Sequence, residues 1–172
     1  MSDTDTWRHC RMDSPLGQIQ LACTDHGLCG VWFATEQKHA PATEKFAPEQ
    51  HRPDDPLLRL GTEQLQAYFG GRLLRFDVPL DLRAGTPFQQ VVWQALLSIP
   101  HGRTGSYLAL ASALGKPSAT RAVGAAVGRN PVSIIVPCHR VLGSTGQLTG
   151  YAGGLERKRA LLLLEGHQGL FA

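Results

Sequence analysis

The sequence predicts an α/β protein in two parts: an α/β scaffold over residues 1–85 and a mainly helical part over residues 86–172. Three observations predict it. Residues 7 to 34 carry apolar runs and polar/apolar alternation between turn signals, the pattern of a strand meander. From residue 56 onward apolar positions recur at helical spacing, and most of these stretches carry their own start and stop signals. The charge balance also changes near residue 85. Residues 1–85 hold nine Lys and Arg against twelve Asp and Glu, whereas residues 86–172 hold eight against two. A basic C-terminal part with so few carboxylates points to a polyanion partner or to a solvated basic surface.

The first part begins as strands. Ser14-Pro15-Leu16-Gly17 is a turn signal, Gln18 to Cys23 alternates as a half-buried strand does, Asp25-His26-Gly27 turns again, and Leu28 to Ala34 is a third strand. Residues 35–55 are polar and proline-rich without periodicity, which predicts a long surface loop. Leu57, Leu58, Leu60, Leu65 and Phe69 predict a helix over Pro56 to Phe69, ended by Gly70-Gly71. Phe76 to Leu80 is expected to return to the sheet as a short strand. This part contains no catalytic constellation and reads as a scaffold.

Asp81 to Gly85 is the expected linker. Thr86-Pro87-Phe88-Gln89 then opens a helix with a capping residue, a proline at the first helical position and a glutamine able to close a capping box. Phe88, Val92, Ala95, Leu96 and Ile99 share one face of it, and Pro100-His101-Gly102 ends it. Ser106 is expected to cap a helix from Tyr107 to Leu114. Gly115-Lys116-Pro117 turns, and Ser118 is expected to cap Ala119 to Val127. Two short helices joined by a three-residue turn with a glycine form a helix-turn-helix pattern. The second helix is nearly free of bulk, and Arg121 is its one long cation. A glycine inside it, Gly124, costs about 1 kcal/mol relative to alanine, so close approach to another helix or to a DNA groove is the expected reason. Leu155 to Glu165 is the last helix, stopped by Gly166, with Arg157-Lys158-Arg159 as its basic face.

Several function classes lack support. No apolar run approaches the roughly 20 residues of a membrane span, and the polar, acidic start Met-Ser-Asp-Thr-Asp-Thr is unlike a signal peptide. Cys10, Cys23, Cys29 and Cys138 have no close pairing, which fits a reducing, cytoplasmic setting. No phosphate-binding loop or dinucleotide fingerprint is present, so no cofactor is expected. His9, Cys10, Cys23, His26 and Cys29 cluster in sequence, but without a C-x-x-C pair or a common zinc spacing, so no metal is expected.

The chemistry concentrates in residues 130 to 141, Asn-Pro-Val-Ser-Ile-Ile-Val-Pro-Cys-His-Arg-Val. Ser133 to Val136 is a short β-branched run of the kind that lies in a core. Pro137 stops it, having no N–H for a continuing ladder, and Cys138 and His139 follow at once. Burial makes a thiol inert by raising its pKa, unless an imidazole or a water relay takes its proton. On the dipeptide alone an ordinary core cysteine is the simpler reading.

The whole stretch resembles the signature of the O6-alkylguanine-DNA alkyltransferases, and the resemblance is strongest from Thr86 to Gly166. It implies a small ribonuclease H-like α/β N-terminal domain followed by a winged-helix-like, DNA-binding domain. It implies that Cys138 accepts the alkyl group, that His139 deprotonates it through a water, that Glu165 orients the histidine, and that Asn130 is a hinge asparagine. The resemblance assigns Arg121 to the space of a flipped-out base and Tyr107 to rotation of the nucleotide and a hydrogen bond to guanine N3. The carbonyls of Cys138 and Val141 would accept the exocyclic amine of guanine, and Tyr151, Ala152 and Gly153 would line the alkyl side of the pocket. Ala152 stands where some members have serine, but its backbone N–H can still serve as a donor to O6. Ser118, Ala119, Thr120, Arg121, Ala122 and Arg129 fall in the expected DNA-contacting segment. The implied activity is single-turnover transfer from O6-alkylguanine, and from O4-alkylthymine, in duplex DNA by a monomer with no obligate protein partner. Two other readings stay open on the residues: a Cys-His-Glu hydrolase that turns over repeatedly, and a DNA-binding regulator without chemistry. The first leaves the helix-turn-helix unexplained, the second the Cys138, His139 and Glu165 set.

Overall fold

The computed structural model describes residues 7–168, and the chain divides into two compact units between Ala84 and Gly85.

In the first unit β1 (Arg8–Met12), β2 (Ile19–Cys23) and β3 (Leu28–Phe33) form an antiparallel sheet in the order β1-β2-β3. Leu21 of β2 stands opposite Cys10 on one side and Val31 on the other. The alternation in β2 predicts one solvated face, yet every residue of β2 and β3 is buried. The reason is that both faces are covered. Helix α1 (Pro56–Phe69) buries Leu58, Gly61, Leu65 and Tyr68. At Gly61 it approaches the sheet so closely that an added Cβ would lie 2.8 Å from the Leu28 side chain. A second cluster of Ala22, Cys29 and Trp32 is covered by Trp7 and by Phe46. Phe46 comes from the 35–55 segment, which contains 3-10 turns at Thr43–Lys45 and Pro48–Gln50 and is tied to β1 by the Arg52 N–H to the His9 carbonyl (2.9 Å). Gln20, buried between these layers, satisfies its amide on the Cys10 carbonyl at 2.9 Å.

The expected strand over 76–80 is not formed. Only Leu80 bridges to Leu28, with the Leu28 N–H on the Pro79 carbonyl and the Asp81 N–H on the Leu28 carbonyl. Pro79 has no N–H with which to extend a ladder.

In the second unit α2 (Pro87–Leu96) begins with the full reciprocal capping box of Thr86 and Gln89. The helix stops at Leu96 rather than running on to Ile99, because the Ser98 and Ile99 N–H groups turn back to the Ala95 and Leu96 carbonyls before Pro100. Helix α3 (Tyr107–Ala113) is capped by Ser106, whose hydroxyl accepts from Ala109 N–H at 3.0 Å. The expected Ser118 cap does not exist. Pro117 starts a 3-10 turn over Pro117–Ala119, and α4 (Thr120–Gly128) begins behind it with Ala119 at its cap and no side-chain capping bond. The proline, with φ preset for a helical turn, draws Ser118 inside the turn. Trp93 of α2 donates its indole N–H to the Ala126 carbonyl of α4 at 2.8 Å, tying the two helices together. Gly124 faces Tyr107, but an added Cβ would sit 3.6 Å from that ring, an ordinary contact.

The Ser133 to Val136 run is buried as expected, but its backbone turns on itself and makes no ladder. Ile135 N–H binds the Ser133 carbonyl, Val136 N–H binds the Val132 carbonyl, and Ile134 has a φ of 73°. A 3-10 turn over Cys138–Arg140 follows. Then β5 (Val141–Leu142) pairs in parallel with β4 (Gly105–Ser106), Gly105 opposite Val141. Helix α5 (Leu155–Leu164) ends with Glu165 as its C-cap. Its three consecutive basic residues do not form one basic face, because Lys158 is fully buried.

Candidate active site

Asn130 shapes the approach to the thiol. It is buried directly after α4. Its amide donates to the Val136 carbonyl at 2.8 Å, and its side-chain oxygen accepts from Val132 N–H at 2.9 Å. One side chain therefore closes both ends of the turn that carries Ile134. This turn delivers Cys138, 6% exposed, into the interior. Burial pushes the thiol pKa up, while a hydrogen bond with Asn130 and the charge of Lys158 work against that rise.

His139 is wholly buried, and its Nε2 lies 2.9 and 3.2 Å from the two Glu165 oxygens. Burial pushes its pKa down, outweighing the carboxylate beside it, so the ring is neutral at rest. The Glu165 contact is then an Nε2–H donated to a carboxylate. That fixes the tautomer and leaves Nδ1, which has no protein partner, as a proton acceptor. Burial also disfavours the Glu165 carboxylate, but hydrogen bonds from His139 and Arg140 outweigh it and hold the carboxyl below its usual range.

Arg140 has no role assigned from the sequence, yet it completes this arrangement. Its Nε donates to Glu165 at 2.6 Å and its Nη1 to the Ile99 carbonyl at 2.6 Å. The guanidinium balances the carboxylate, so the His139, Glu165 and Arg140 group is electrically neutral inside the core.

Tyr107, at the start of α3, is half-buried and directs its hydroxyl to the Thr149 carbonyl at 3.4 Å. Burial raises its pKa, and so does the proximity of Cys138. The 149–154 segment that includes Tyr151, Ala152 and Gly153 is shaped by Gly150 and Gly154 at positive φ and closed by the Gly154 N–H on the Tyr151 carbonyl. Lys158 binds the Val141, Thr149 and Gly150 carbonyls at 2.6, 2.8 and 3.1 Å. It thereby fastens β5 to that segment. The helical stripe Lys158, Leu161, Leu162 and Glu165 is the signal that could have shown this lysine facing inward.

The predicted residues of α4 and its flanks lie differently. Ser118, Arg121, Ala122 and Arg129 are exposed, Ala119 and Thr120 half-exposed. Arg121 and Arg129 are the two cations among them, and Ser118, Ala119, Thr120 and Ala122 carry small side chains. Among the described residues no three His, Cys, Asp or Glu side chains converge as a metal site, and no helix is long and apolar enough to cross a membrane.

The comparisons with known proteins agree along the chain. The ribonuclease-like domain model of 6-O-methylguanine DNA methyltransferase matches residues 8–82, and the DNA-binding domain model of the same protein matches residues 87–167. Methylated-DNA–protein-cysteine methyltransferase of Mycobacterium tuberculosis (strain ATCC 25618 / H37Rv) is 51% identical over 154 residues, covering 90% of this chain and 89% of that protein. Its counterpart in Methanosarcina acetivorans is 47% identical over 154 residues, covering 90% and 95%. A crystal structure of the Mycobacterium tuberculosis OGT in complex with DNA superposes with a TM-score of 0.81 at 49% identity, covering 91% of each chain. From these matches and the geometry around Cys138, the chain belongs to the methylated-DNA–protein-cysteine methyltransferase family.

Proposed function

We propose that this protein repairs DNA by accepting on Cys138, once per molecule, the alkyl group of O6-alkylguanine or O4-alkylthymine in a duplex, after flipping the damaged base out of the helix. DNA repair by alkyl transfer is the activity of the family. The observation that carries it is the buried thiol beside a histidine whose tautomer is locked by Glu165 and whose Nδ1 is free to take a proton.

Cys138 and His139 make no direct hydrogen bond, so the thiol proton passes through one water to Nδ1. The imidazolium so formed is stabilised by Glu165. The thiolate attacks the alkyl carbon in line, the carbon–oxygen bond breaks, and its electron pair leaves with the base. Tyr107 assists departure by donating to guanine N3, and the N–H of Ala152 by donating to O6. The carbonyls of Cys138 and Val141 accept the exocyclic amine, while Tyr151 and Gly153 bound the alkyl side. The thioether product is stable, which limits each molecule to one reaction.

Reaching the base requires extrusion, at a cost of a few kcal/mol of unstacking. Arg121, exposed on a helix of small residues, fills the vacated space. Ser118, Ala119, Thr120, Ala122 and Arg129 meet the backbone around it, and Asn130 is the hinge between this helix and the thiol. The protein acts as a cytoplasmic monomer, with duplex DNA as its partner and no cofactor. Intact-protein mass spectrometry after mixing with a duplex containing O6-methylguanine tests the reading. One added methyl group, mapped to the Cys138 peptide at a one-to-one limit, is expected. Methylation of Cys10, Cys23 or Cys29 instead, or continued turnover, refutes it.

A further inference from the structure

An open cavity of about 430 Å³ lies wholly within the first unit, lined by β1, β2 and the 35–55 segment. Its size is that of small-molecule sites, roughly 300–1,000 Å³. His9 and Arg11 are two apart on β1, and Arg11 stands opposite Gln20 of β2, so the three share one face of the sheet.

One wall is fixed by a chain of hydrogen bonds. Gln20, 4% exposed, accepts from Arg11 Nε at 2.8 Å through its side-chain oxygen. Its amide nitrogen donates to the Cys10 carbonyl at 2.9 Å and to His9 Nδ1 at 3.3 Å. His9, 6% exposed, then donates from Nε2 to the Ala47 carbonyl at 2.8 Å. The chain runs from the guanidinium to the 35–55 segment and sets both sides of the cavity before any ligand arrives.

The remaining polar groups are uncommitted. Arg11 gives Nη1 to the Gln18 side chain at 3.1 Å and has no carboxylate partner among the described residues. The ring nitrogens of His51 and the Thr43 hydroxyl make no hydrogen bond among them either. Glu44 and Glu49 sit on the adjoining 3-10 turns, but no carboxylate lines the cavity. The other lining is aromatic. Phe46 meets the His9 ring edge-on at 5.5 Å, and the His51 ring lies 5.7 Å from that of His9.

A guanidinium, an imidazole and a hydroxyl beside aromatic faces suit a planar ring that carries an anion. Donors on three separate side chains match the three oxygens of a phosphate better than the two of a carboxylate. We propose that this cavity binds an aromatic phosphate, a nucleoside monophosphate, with its base against Phe46 and its phosphate against Arg11, His51 and Thr43. Stacking on an aromatic face tolerates any base, so the site selects a ring with a phosphate and no particular sequence. It owes nothing to Cys138. A free nucleotide and the phosphorylated end of a strand offer it the same chemistry.

The test adds adenosine monophosphate to the full chain labelled with 13C-histidine, with affinity read by calorimetry and location by the His51 ring signals. The nucleotide should shift those signals saturably at millimolar concentration. Adenosine and inorganic phosphate, each lacking half of the contacts, should bind at least about tenfold more weakly. Arg11→Gln, which removes the charge, and His51→Gln should each weaken nucleotide binding by about tenfold or more, while methyl transfer to Cys138 from duplex DNA keeps the wild-type rate. A phosphorylated dinucleotide that binds as tightly as the mononucleotide would extend the site to strand ends, and one that is excluded would restrict it to free nucleotides; either supports the phosphate site. No saturable shift at His51, adenosine binding as tightly as its monophosphate, or full affinity in Arg11→Gln overturns the proposal. Should Arg11→Gln lose its native circular dichroism, the wild-type comparison of nucleotide with nucleoside still decides.

Discussion

Arg140→Met probes the most heavily buried ion pair of the site. The substitution keeps an unbranched apolar stem and removes the guanidinium. It deletes the Nε donation to both Glu165 oxygens at 2.6 and 3.2 Å and the Nη1 donation to the Ile99 carbonyl at 2.6 Å. Glu165 is then a carboxylate 6% exposed with only a neutral imidazole beside it. Breaking one side of a buried pair costs about 3–5 kcal/mol, because the remaining charge is stranded. With a urea slope of about 2 kcal/mol/M, the unfolding midpoint should fall by about 2 M near pH 7.5. Fluorescence in a Trp7→Phe, Trp32→Phe background leaves Trp93 as the sole tryptophan and reports on the C-terminal unit alone. The deficit should narrow with acid. In the wild type the Glu165 pKa is depressed by its partners despite burial. Its contribution is therefore present above the unfolded pKa of about 4.3 and is lost as pH falls through the folded value. In the variant, burial with one neutral partner raises the folded pKa above 4.3, so stability is regained as pH falls toward that value. The double variant Arg140→Met, Glu165→Gln should be more stable than Arg140→Met alone at pH 7.5. A loss under about 1 kcal/mol for the single variant, or a double variant no better than the single, would refute the buried-charge reasoning.

Glu165→Gln should slow alkyl transfer by up to about 10²–10⁴-fold, the range supplied by general-base assistance, because the His139 imidazolium loses its counter-ion; single-turnover kinetics at the wild-type rate in a folded variant would make Glu165 structural only. Arg121→Ala should depress the second-order rate on duplex DNA while leaving the rate on free O6-benzylguanine nearly unchanged, and equal losses on the two substrates would remove its flipping role. Tyr107→Phe should slow both substrates, since the donor to N3 is gone while the ring stays. Asn130→Ala strands the Val136 carbonyl and the Val132 N–H inside the core, at about 1–3 kcal/mol each; a thermal melt showing a change below about 0.5 kcal/mol would mean that the turn does not depend on its asparagine.

The residues alone determined what is settled within one turn of chain. The capping box of Thr86 and Gln89 joins groups three positions apart, and the Ser106 cap does the same, so both were legible without knowing what surrounds them. The Cys138-His139 pair was legible as a motif, and Glu165 through the family resemblance. Local signals failed where two of them competed. Pro117 took the helical turn that Ser118 was expected to cap, and the β-branched run before Pro137 folded back on itself, with Asn130 binding the Val132 N–H before it and the Val136 carbonyl at its end.

Tertiary structure alone decided which charges leave water. Arg157, Lys158 and Arg159 are alike in sequence, but only Lys158 points along the stripe of Leu161 and Leu162 and meets the three carbonyls. Arg140 finds Glu165 twenty-five positions later and Ile99 forty-one positions earlier, contacts to which neither periodicity nor capping refers. Both faces of β2 are covered because Phe46 closes over one of them from a segment with no periodicity of its own. Capping is satisfied by neighbours in the chain. Burial depends on what other elements bring against a residue, and around Cys138 that same burial sets the protonation of the thiol, the imidazole, the carboxyl and the lysine.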